Sequence, residues 1–304
     1  MQIILIGLGR MGGNMARRWA RHGVAVTAFD ASAEARAAIE GEAHCRVVAS
    51  LAEALATGVP GARIVWLMLP AGAITERAID DVLPTLVAGD LLVDGGNAHY
   101  KDSQRRAARV RSHGAAFADV GVSGGIGGLA HGYCLMVGAQ AADYARLEPL
   151  LMALAPEGGR GLVHAGPVGA GHYAKMVHNG IEYGMMQALA EGFALLEAKE
   201  EFAMPLAAVA DAWCDGSVIR SWLLELTARA LHDPEALAAT APHVADSGEG
   251  RWAVEAMVEL GVPAPVTALA LTTRFATQGR GDYAARLLAQ MRAGFGGHAV
   301  NVVR

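Results

Sequence analysis

The stretch that decides the fold spans residues 2 to 30 and reads QIILIGLGRMGGNMARRWARHGVAVTAFD. Its apolar start predicts a buried strand, and the turn GLGRMG then leads into a helical pattern and a second strand that ends at Asp30. In this order, G-x-G-x-x-G is typical of a dinucleotide-binding turn, because the glycines admit a pyrophosphate and the helix N-terminus offers it N–H groups. A tight turn without a ligand is the alternative. The cofactor-binding residues predicted in this stretch are Gly7, Leu8, Gly9, Arg10, Met11, Gly12 and Asp30.

The acidic residue at the end of the second strand predicts which dinucleotide binds. Asp30 stands at the position where a carboxylate accepts hydrogen bonds from the ribose 2′-OH of NAD. The same negative charge repels the 2′-phosphate of NADP. The sequence therefore favours NAD over NADP, with an ordinary turn aspartate as the alternative.

Apolar runs continue the strand pattern through the first half of the chain. After the first two strands they occupy residues 63–70, 90–97, 115–122 and 132–138. Helical patterns lie between the earlier runs, and from about residue 170 onward the periodicity is helical. We therefore predict an α/β protein in which a doubly wound Rossmann-type sheet precedes an all-α domain. The predicted parts are a dinucleotide-binding domain at 1–165, a helical substrate and dimerisation domain at 166–291, and a C-terminal tail at 292–304 that its glycines keep from continuing as a helix.

Composition narrows the class of protein. The chain has 304 residues, 53% hydrophobic content and a formal charge of −5, so a nucleic-acid partner is not expected. No apolar run reaches the roughly 18 residues that cross a bilayer, and the chain starts without a signal-peptide pattern. Its three cysteines are widely spaced and predict neither a disulfide framework nor a metal site. We expect a cytoplasmic enzyme or binding protein that needs no metal and no membrane.

A cluster of polar residues lies in HYAKMVHNGIEYGMMQ, residues 172–187, where nothing ends a helix. Helical geometry puts Lys175, His178, Asn179 and Glu182 within an arc of roughly 100°. A stripe of this kind can simply face water. However, the chain contains only three lysines among its 25 basic residues. Since a desolvated lysine can accept a proton and arginine cannot, Lys175 is favoured for a chemical role.

Five motifs together resemble those of 6-phosphogluconate dehydrogenase, the decarboxylating enzyme. In order they are GLGRMGGN (7–14), DGGN (94–97), GVSGG (121–125), GAGHYAKMVHNGIEYG (169–184) and RAGFGGH (292–298). The resemblance covers nearly the whole chain, and the fourth motif is highly specific. The chain looks like the short form of the family, which lacks the second helical block of the longer enzymes.

The resemblance implies roles for individual residues. Lys175 would be the general base and Glu182 the general acid, and Asn97 would bind both the cofactor and the substrate. The residues implied for the substrate's carboxylate and hydroxyls are Asn97, Ser123, Gly124, Gly125, His178 and Asn179. Those implied for its distal phosphate are Tyr183, Arg251, Arg274, Arg292 and His298. The last two would come from a partner subunit, as in the family, which implies a homodimer or homotetramer.

The implied reaction converts 6-phosphogluconate to ribulose 5-phosphate and carbon dioxide with reduction of NAD, in the pentose phosphate pathway. Three departures from the family bear on it. Asp30-Ala31-Ser32 replaces the common Asn-Arg-Thr that grips a 2′-phosphate, Arg251 and Ala253 replace a lysine and a threonine, and residues 126–138 differ from the long enzymes. Two alternatives stay open, a β-hydroxyacid dehydrogenase acting on a small unphosphorylated hydroxyacid, and a nucleotide-sensing module without turnover.

Overall fold

The computed structural model describes residues 1–296 and 299–301. The chain forms two compact units, the first spanning Met1–Val177 and the second beginning at His178. The strand pattern of the sequence stops near residue 165, so the sequence predicts an earlier boundary, at 165/166. The long helix that follows starts inside the first unit and continues into the second.

Eight strands form the single sheet of the first unit, in the order β3-β2-β1-β4-β5-β6-β7-β8. They are β1 (Gln2–Ile6), β2 (Ala25–Phe29), β3 (Cys45–Val47), β4 (Ile64–Leu67), β5 (Leu91–Asp94), β6 (Ala116–Ser123), β7 (Cys134–Gly138) and β8 (Leu162–Gly166). Neighbouring strands are parallel except β6 and β7. The order reverses between β1 and β4, which is where doubly wound sheets bind nucleotides. The predicted fold class is confirmed.

Both faces of the inner strands of this sheet are buried. Ile3 and Leu5 of β1 point into one apolar cluster, and Ile4 and Ile6 point into another, as strand alternation requires. Seven helices cover the faces. They are α1 (Arg10–Arg21), α2 (Ala33–Ala37), α3 (Leu51–Leu55), α4 (Ala73–Val82), α5 (Tyr100–Ser112), α6 (Gly128–His131) and α7 (Ala141–Leu154). The sheet therefore holds the strand ends, and the loops that follow them, on a packed core.

Beyond the sheet the described chain is helical. The helices are α8 (Ala170–Ala198), α9 (Leu206–Cys214), α10 (Trp222–Leu231), α11 (Pro234–Ala239), α12 (Glu249–Leu260), α13 (Pro265–Thr277) and α14 (Asp282–Gly296). Proline or glycine marks four of the connections between them, at Pro205, Pro234, Gly261 and Gly279–Gly281. Across residues 1–296 and 299–301, no helix combines the length and apolarity needed to span a membrane.

The start of the predicted tail differs from expectation. Helix α14 continues through Arg292 and ends at Gly296, so the glycines do not stop it at residue 292. A glycine inside a helix costs about 1 kcal/mol relative to alanine, and a helix whose other residues favour the helical conformation can tolerate this cost. The rest of the predicted tail includes His298, which lies outside the described residues.

Candidate active site

The turn between β1 and α1 has the shape that a pyrophosphate needs. Gly7 has φ of +101°, and a Cβ on Gly12 would lie 2.0 Å from the carbonyl oxygen of Gly7. A Cβ on Gly9 would meet nothing within 4 Å, so the backbone there is open to a ligand. Helix α1 then starts at Arg10 with no side-chain cap and no acidic residue in its first turn. Its first N–H groups are therefore suited to an anion, and the residues present fit a dinucleotide.

Asp30 is fixed at the end of β2 by its own carboxylate. One oxygen accepts from the backbone N–H of Leu8 at 2.7 Å, and the other accepts from that of Ser32 at 2.8 Å. Each oxygen has a further lone pair for a ribose hydroxyl. The guanidinium of Arg36, which sequence reasoning missed, donates to the carbonyl of Asp30 at 2.7 Å. The end of the turn where the ribose would bind therefore carries the carboxylate of Asp30, and the guanidinium of Arg36 is hydrogen-bonded to the backbone of the same residue.

Asn97 joins two of the loops that the motifs singled out. Its side-chain Nδ2 donates to the carbonyl of Val122 at 3.1 Å, and the N–H of Val122 donates back to its Oδ1 at 2.8 Å. Ser123 ends β6 directly after Val122, and Gly124 and Gly125 follow at φ of +122° and +52°. The structure thus brings Asn97 together with the 123–125 loop at neighbouring carboxyl ends of the sheet.

Lys175 lies where α8 crosses β6. A Cβ on Gly121 would lie 2.4 Å from the Cβ of Lys175, and one on Gly171 would lie 2.5 Å from the carbonyl oxygen of Met136. Because these glycines have no side chains, the helix approaches the sheet closely. Lys175 is only 6% exposed as a result. A basic side chain is thus buried two residues along the strand from Ser123.

The start of α8 is held by groups that sequence reasoning missed. Asp119 of β6 accepts from the N–H groups of Gly169 and His172 at 2.6 and 2.7 Å. Burial raises the pKa of the Asp119 carboxyl. The Nδ1 of His172 is also hydrogen-bonded to the hydroxyl of Ser103 at 2.7 Å. The signal available in the sequence was a single acidic residue inside an apolar strand, and the fold uses it to anchor the helix that carries Lys175.

The next turns of α8 carry the other polar residues of the stripe. The Nδ1 of His178 is 3.1 Å from Oδ1 of Asn179 and 3.8 Å from Oε2 of Glu182. The side chains of His178 and Glu182 are 37% and 39% exposed. Since α8 is continuous, Lys175 and Glu182 lie nearly two turns apart along one face of a single helix.

Within the second unit, Tyr183 and Arg274 form a compact pair. The guanidinium carbon of Arg274 lies 3.4 Å from the centroid of the buried Tyr183 ring. The same guanidinium donates to the carbonyl of Ala245 at 3.1 Å, and the Tyr183 hydroxyl is 3.4 Å from that of Ser247. A cation, a phenol and a serine hydroxyl are therefore close together, and all three can bind phosphate oxygens.

Arg251 has a different environment. It forms an ion pair with Asp246, and its guanidinium carbon stacks 4.4 Å from the centroid of the Phe275 ring. Its charge is therefore already balanced by a neighbour.

Arg292, the other arginine predicted to bind the phosphate, is exposed on α14.

The cysteines and the possible metal ligands were predicted to form neither disulfides nor a metal site. Cys45, Cys134 and Cys214 are free thiols. Burial raises the pKa of the Cys45 thiol to about 11, so it stays protonated near neutral pH. In the part of the chain that the structure describes, no three His, Cys, Asp or Glu side chains group to hold a metal ion.

The doubly wound sheet and its glycine turn define a dinucleotide-binding protein of the kind that serves oxidoreductases. A family model for the NAD binding domain of 6-phosphogluconate dehydrogenase matches residues 2–166, and one for the C-terminal domain of that enzyme matches residues 171–300. The chain belongs to the 6-phosphogluconate dehydrogenase family. The resemblance predicted from the five motifs is confirmed.

Individual proteins extend this comparison. The NAD(+)-dependent, decarboxylating 6-phosphogluconate dehydrogenase of Haloferax volcanii is 42% identical over 303 residues, covering 99% of this chain and 98% of its own. The structure of Plasmodium falciparum 6-phosphogluconate dehydrogenase, studied with NADP+ and with 6-phosphogluconate, matches with a TM-score of 0.84 at 25% identity, over 100% of this chain and 66% of that one. The 3-hydroxyisobutyrate dehydrogenase of Mycobacterium tuberculosis matches with a TM-score of 0.72 at 25% identity, over 92% and 94%.

Proposed function

We propose that this chain catalyses the oxidative decarboxylation of 6-phosphogluconate to ribulose 5-phosphate and carbon dioxide with reduction of NAD, a step of the pentose phosphate pathway. The observation that carries the proposal is the buried Lys175, held against Gly121 beside the 123–125 loop. Similarity over the whole length to an NAD(+)-dependent, decarboxylating relative supports it.

The cofactor in this proposal is held by the turn between β1 and α1. The N–H groups at the start of α1 bind the pyrophosphate, and Asp30 accepts hydrogen bonds from the ribose. When bound, NAD supplies the acceptor for the substrate's hydride. Because Asp30 repels a 2′-phosphate, NAD is preferred over NADP.

Lys175 is the general base. Oxidation of a secondary alcohol requires the hydroxyl proton to leave as the hydride departs, and burial disfavours the charged form of a lysine. In this role Nζ of Lys175, in its neutral form, takes the proton from the substrate hydroxyl. The product of this step is a 3-keto acid, in which the carboxylate is β to the new carbonyl.

Decarboxylation follows from that arrangement. The bond to the carboxylate breaks, its electrons flow into the carbonyl, and protonated Lys175 returns a proton to the carbonyl oxygen. Glu182 then donates a proton to C1 of the resulting enediol, which gives ribulose 5-phosphate. Acid and base lie on one face of α8, so they can flank a small substrate.

The remaining residues bind the sugar acid. Asn97, Ser123, Gly124, Gly125, His178 and Asn179 hold its carboxylate and hydroxyls in this proposal. Tyr183 and Arg274 bind its phosphate, with Arg292 and His298 contributed by a partner subunit. Arg251 is the weakest candidate of the set, because Asp246 already balances its charge.

A homodimer or homotetramer is part of the proposal. Val177, Ile181, Met185 and Leu195 are exposed along one side of α8, and an apolar stripe of this kind marks an interaction surface. Co-expression of Lys175→Ala with Arg292→Ala tests whether the tail acts on a neighbour. If it does, hybrid dimers regain one complete site and activity returns. Verified hybrids that stay at the parental background would reject the shared site.

Steady-state assays with 6-phosphogluconate test the function directly. NADH formation should be accompanied by an equal amount of carbon dioxide, measured in parallel. The main alternative function is that of a β-hydroxyacid dehydrogenase. Structural similarity to the 3-hydroxyisobutyrate dehydrogenase of M. tuberculosis supports this alternative. Turnover of 3-hydroxyisobutyrate without carbon dioxide release, and none of 6-phosphogluconate, would replace the proposal with that alternative.

A further inference from the structure

The first residue of the DGGN motif, Asp94, forms a buried ion pair with Arg106. Arg106 of α5 has a fully buried side chain, and its guanidinium donates to Oδ2 of Asp94 at 2.7 Å. Asp94 is equally buried at the end of β5. The Nε of Arg106 donates to Glu76 of α4 at 2.8 Å. Since a buried charge is tolerated only with a well-placed partner, Arg106 and Asp94 depend on each other.

Asp94 transmits this constraint to the loop. Its other oxygen, Oδ1, accepts from the backbone N–H of Gly96 at 3.0 Å. A Cβ on Gly95 would lie 2.5 Å from the indole nitrogen of Trp66, and one on Gly96 would lie 2.4 Å from the carbonyl oxygen of Leu69. The backbone of the loop is therefore pressed against β4 and the residues after it, and has little freedom to move.

The constrained backbone ends at Asn97, which has φ of +52°. Among residues other than glycine, asparagine adopts this left-handed conformation most readily, so the position suits Asn97 and the backbone around it selects that conformation. Both polar atoms of the Asn97 amide are bonded to the backbone of Val122, so this conformation also sets the start of the 123–125 loop.

We propose that Arg106 and Asp94 are positioning residues that hold Asn97 in its left-handed conformation, so that the loops after β5 and β6 are fixed in place before any ligand binds. Arg106 acts through Asp94 and touches neither loop's binding groups itself. The inference rests on the proposed function only for its activity measurement. Its structural measurement is independent of turnover.

Two lysine substitutions one residue apart test this. Arg106→Lys keeps the positive charge, but a compact ammonium cannot bridge Asp94 and Glu76 as the guanidinium does. Arg105→Lys is the matched control, because Arg105 also binds Glu76, at 2.7 Å, while its side chain is 51% exposed and its other partner is Asp102. Both variants weaken the contact to Glu76, and only the first removes the support of Asp94.

Amide hydrogen exchange of the free protein gives the primary readout. In Arg106→Lys, peptides covering 95–98 and 120–124 should exchange at least about tenfold faster, because the Val122 N–H loses its fixed acceptor. The kcat/KM for 6-phosphogluconate should fall by roughly 10², as expected when binding groups are displaced. The dissociation constant for NAD, set mainly by the turn after β1, should change by less than about threefold. Arg105→Lys should stay within about twofold of the wild type in all three.

The outcomes separate this inference from the proposed function. If the wild type does not turn over 6-phosphogluconate, the function fails, and the exchange comparison still decides the positioning role. If Arg106→Lys exchanges like the wild type, or Arg105→Lys shows the same acceleration, the positioning role is overturned. Asp94→Asn, which keeps an acceptor for Gly96, serves if Arg106→Lys does not fold, and should give the same pattern. If neither variant unfolds cooperatively, the pair maintains the fold as a whole and the inference is rejected.

Discussion

The two ends of the polar stripe on α8 differ in how completely the chain surrounds them. Lys175 is 6% exposed, and the helix start beneath it is held by Asp119. Glu182, nearly two turns further along, has a side chain that is 39% exposed. The first unit thus desolvates the proposed base by its own fold, whereas the chain leaves the proposed acid in contact with water. A buried base is shielded from water while it accepts the substrate's proton, and an acid in contact with water can be reprotonated by solvent between turnovers.

Replacing the base should have the largest effect on activity. Lys175→Ala should lower kcat by about 10³ to 10⁴, because general base catalysis typically contributes up to this factor. Gly121→Ala should reduce activity in the same direction, since its Cβ would lie 2.4 Å from that of Lys175. Lys199→Ala is the control, because Lys199 lies just beyond α8 and pairs with Glu201 on the surface. Near wild-type turnover in Lys175→Ala would show that the base is assigned incorrectly.

Replacing the acid should have a smaller and more selective effect. Glu182→Gln should lower the rate of ribulose 5-phosphate formation by about 10 to 10². In a single turnover the release of carbon dioxide should be less affected, because decarboxylation precedes this protonation. The measurement is deuterium at C1 of ribulose 5-phosphate formed in D₂O, which reports the final protonation. If the variant incorporates C1 deuterium stereospecifically and at the wild-type rate, Glu182 does not donate that proton, and the contrast between the two ends of the stripe has no catalytic meaning.

Local sequence patterns predicted the fold far better than they predicted the contacts around the proposed catalytic and binding residues. The β1 turn and the helix breaks leave signals within a few residues of sequence, since glycine, proline and apolar periodicity act locally. Strand β3 was missed because it has only three residues, and β8 because three of its five residues are exposed. The bonds from Asp119 to α8 and from Asn97 to Val122 join residues far apart in sequence, and no single-sequence pattern records such pairs. The pairing of Arg251 with Asp246 is closer in sequence, but charge alone does not distinguish a structural arginine from one that binds phosphate.

The preference for NAD over NADP should be about tenfold in kcat/KM, and residues of the first unit alone should determine it. We expect kcat/KM with NAD to exceed that with NADP by at least about tenfold, which corresponds to 1.4 kcal/mol. The reason is the repulsion between Asp30 and a 2′-phosphate. Asp30→Asn should reduce this ratio, whereas Arg36→Gln should reduce only the use of NADP, since its cation lies behind the same turn. Equal efficiency of the wild-type protein with both cofactors would contradict the preference.

The smallest expected effect is on the free energy of unfolding. It is measured by removing one carboxylate from an ion pair in each of the two units and comparing the results. The hydrogen bond from Arg105 holds the pKa of the Glu76 carboxyl below its usual value; burial opposes this, and Arg106 reinforces it. A carboxyl whose pKa is lowered in the folded state stabilises the protein above its unfolded pKa of about 4.3, and that contribution is lost as the pH falls through the folded pKa. Wild type and Glu76→Gln should therefore differ most in free energy of unfolding near pH 6, and the difference should shrink below about pH 4.3.

Glu201→Gln is the matched control for this comparison. Glu201 pairs with Lys199 on the surface of the second unit, with side chains 62% and 51% exposed. Exposed pairs of this kind contribute about 0–1 kcal/mol, so this variant should stay close to the wild type across the same pH range. Denaturant unfolding measured between about pH 3 and 6 gives both differences. Asp80, Asp94 and Asp102 also pair with the arginines around Glu76, so the test depends on the difference between variants and not on either curve alone. A difference for Glu76→Gln that stays constant with pH would mean that its ion pairs do not distinguish the first unit from the second.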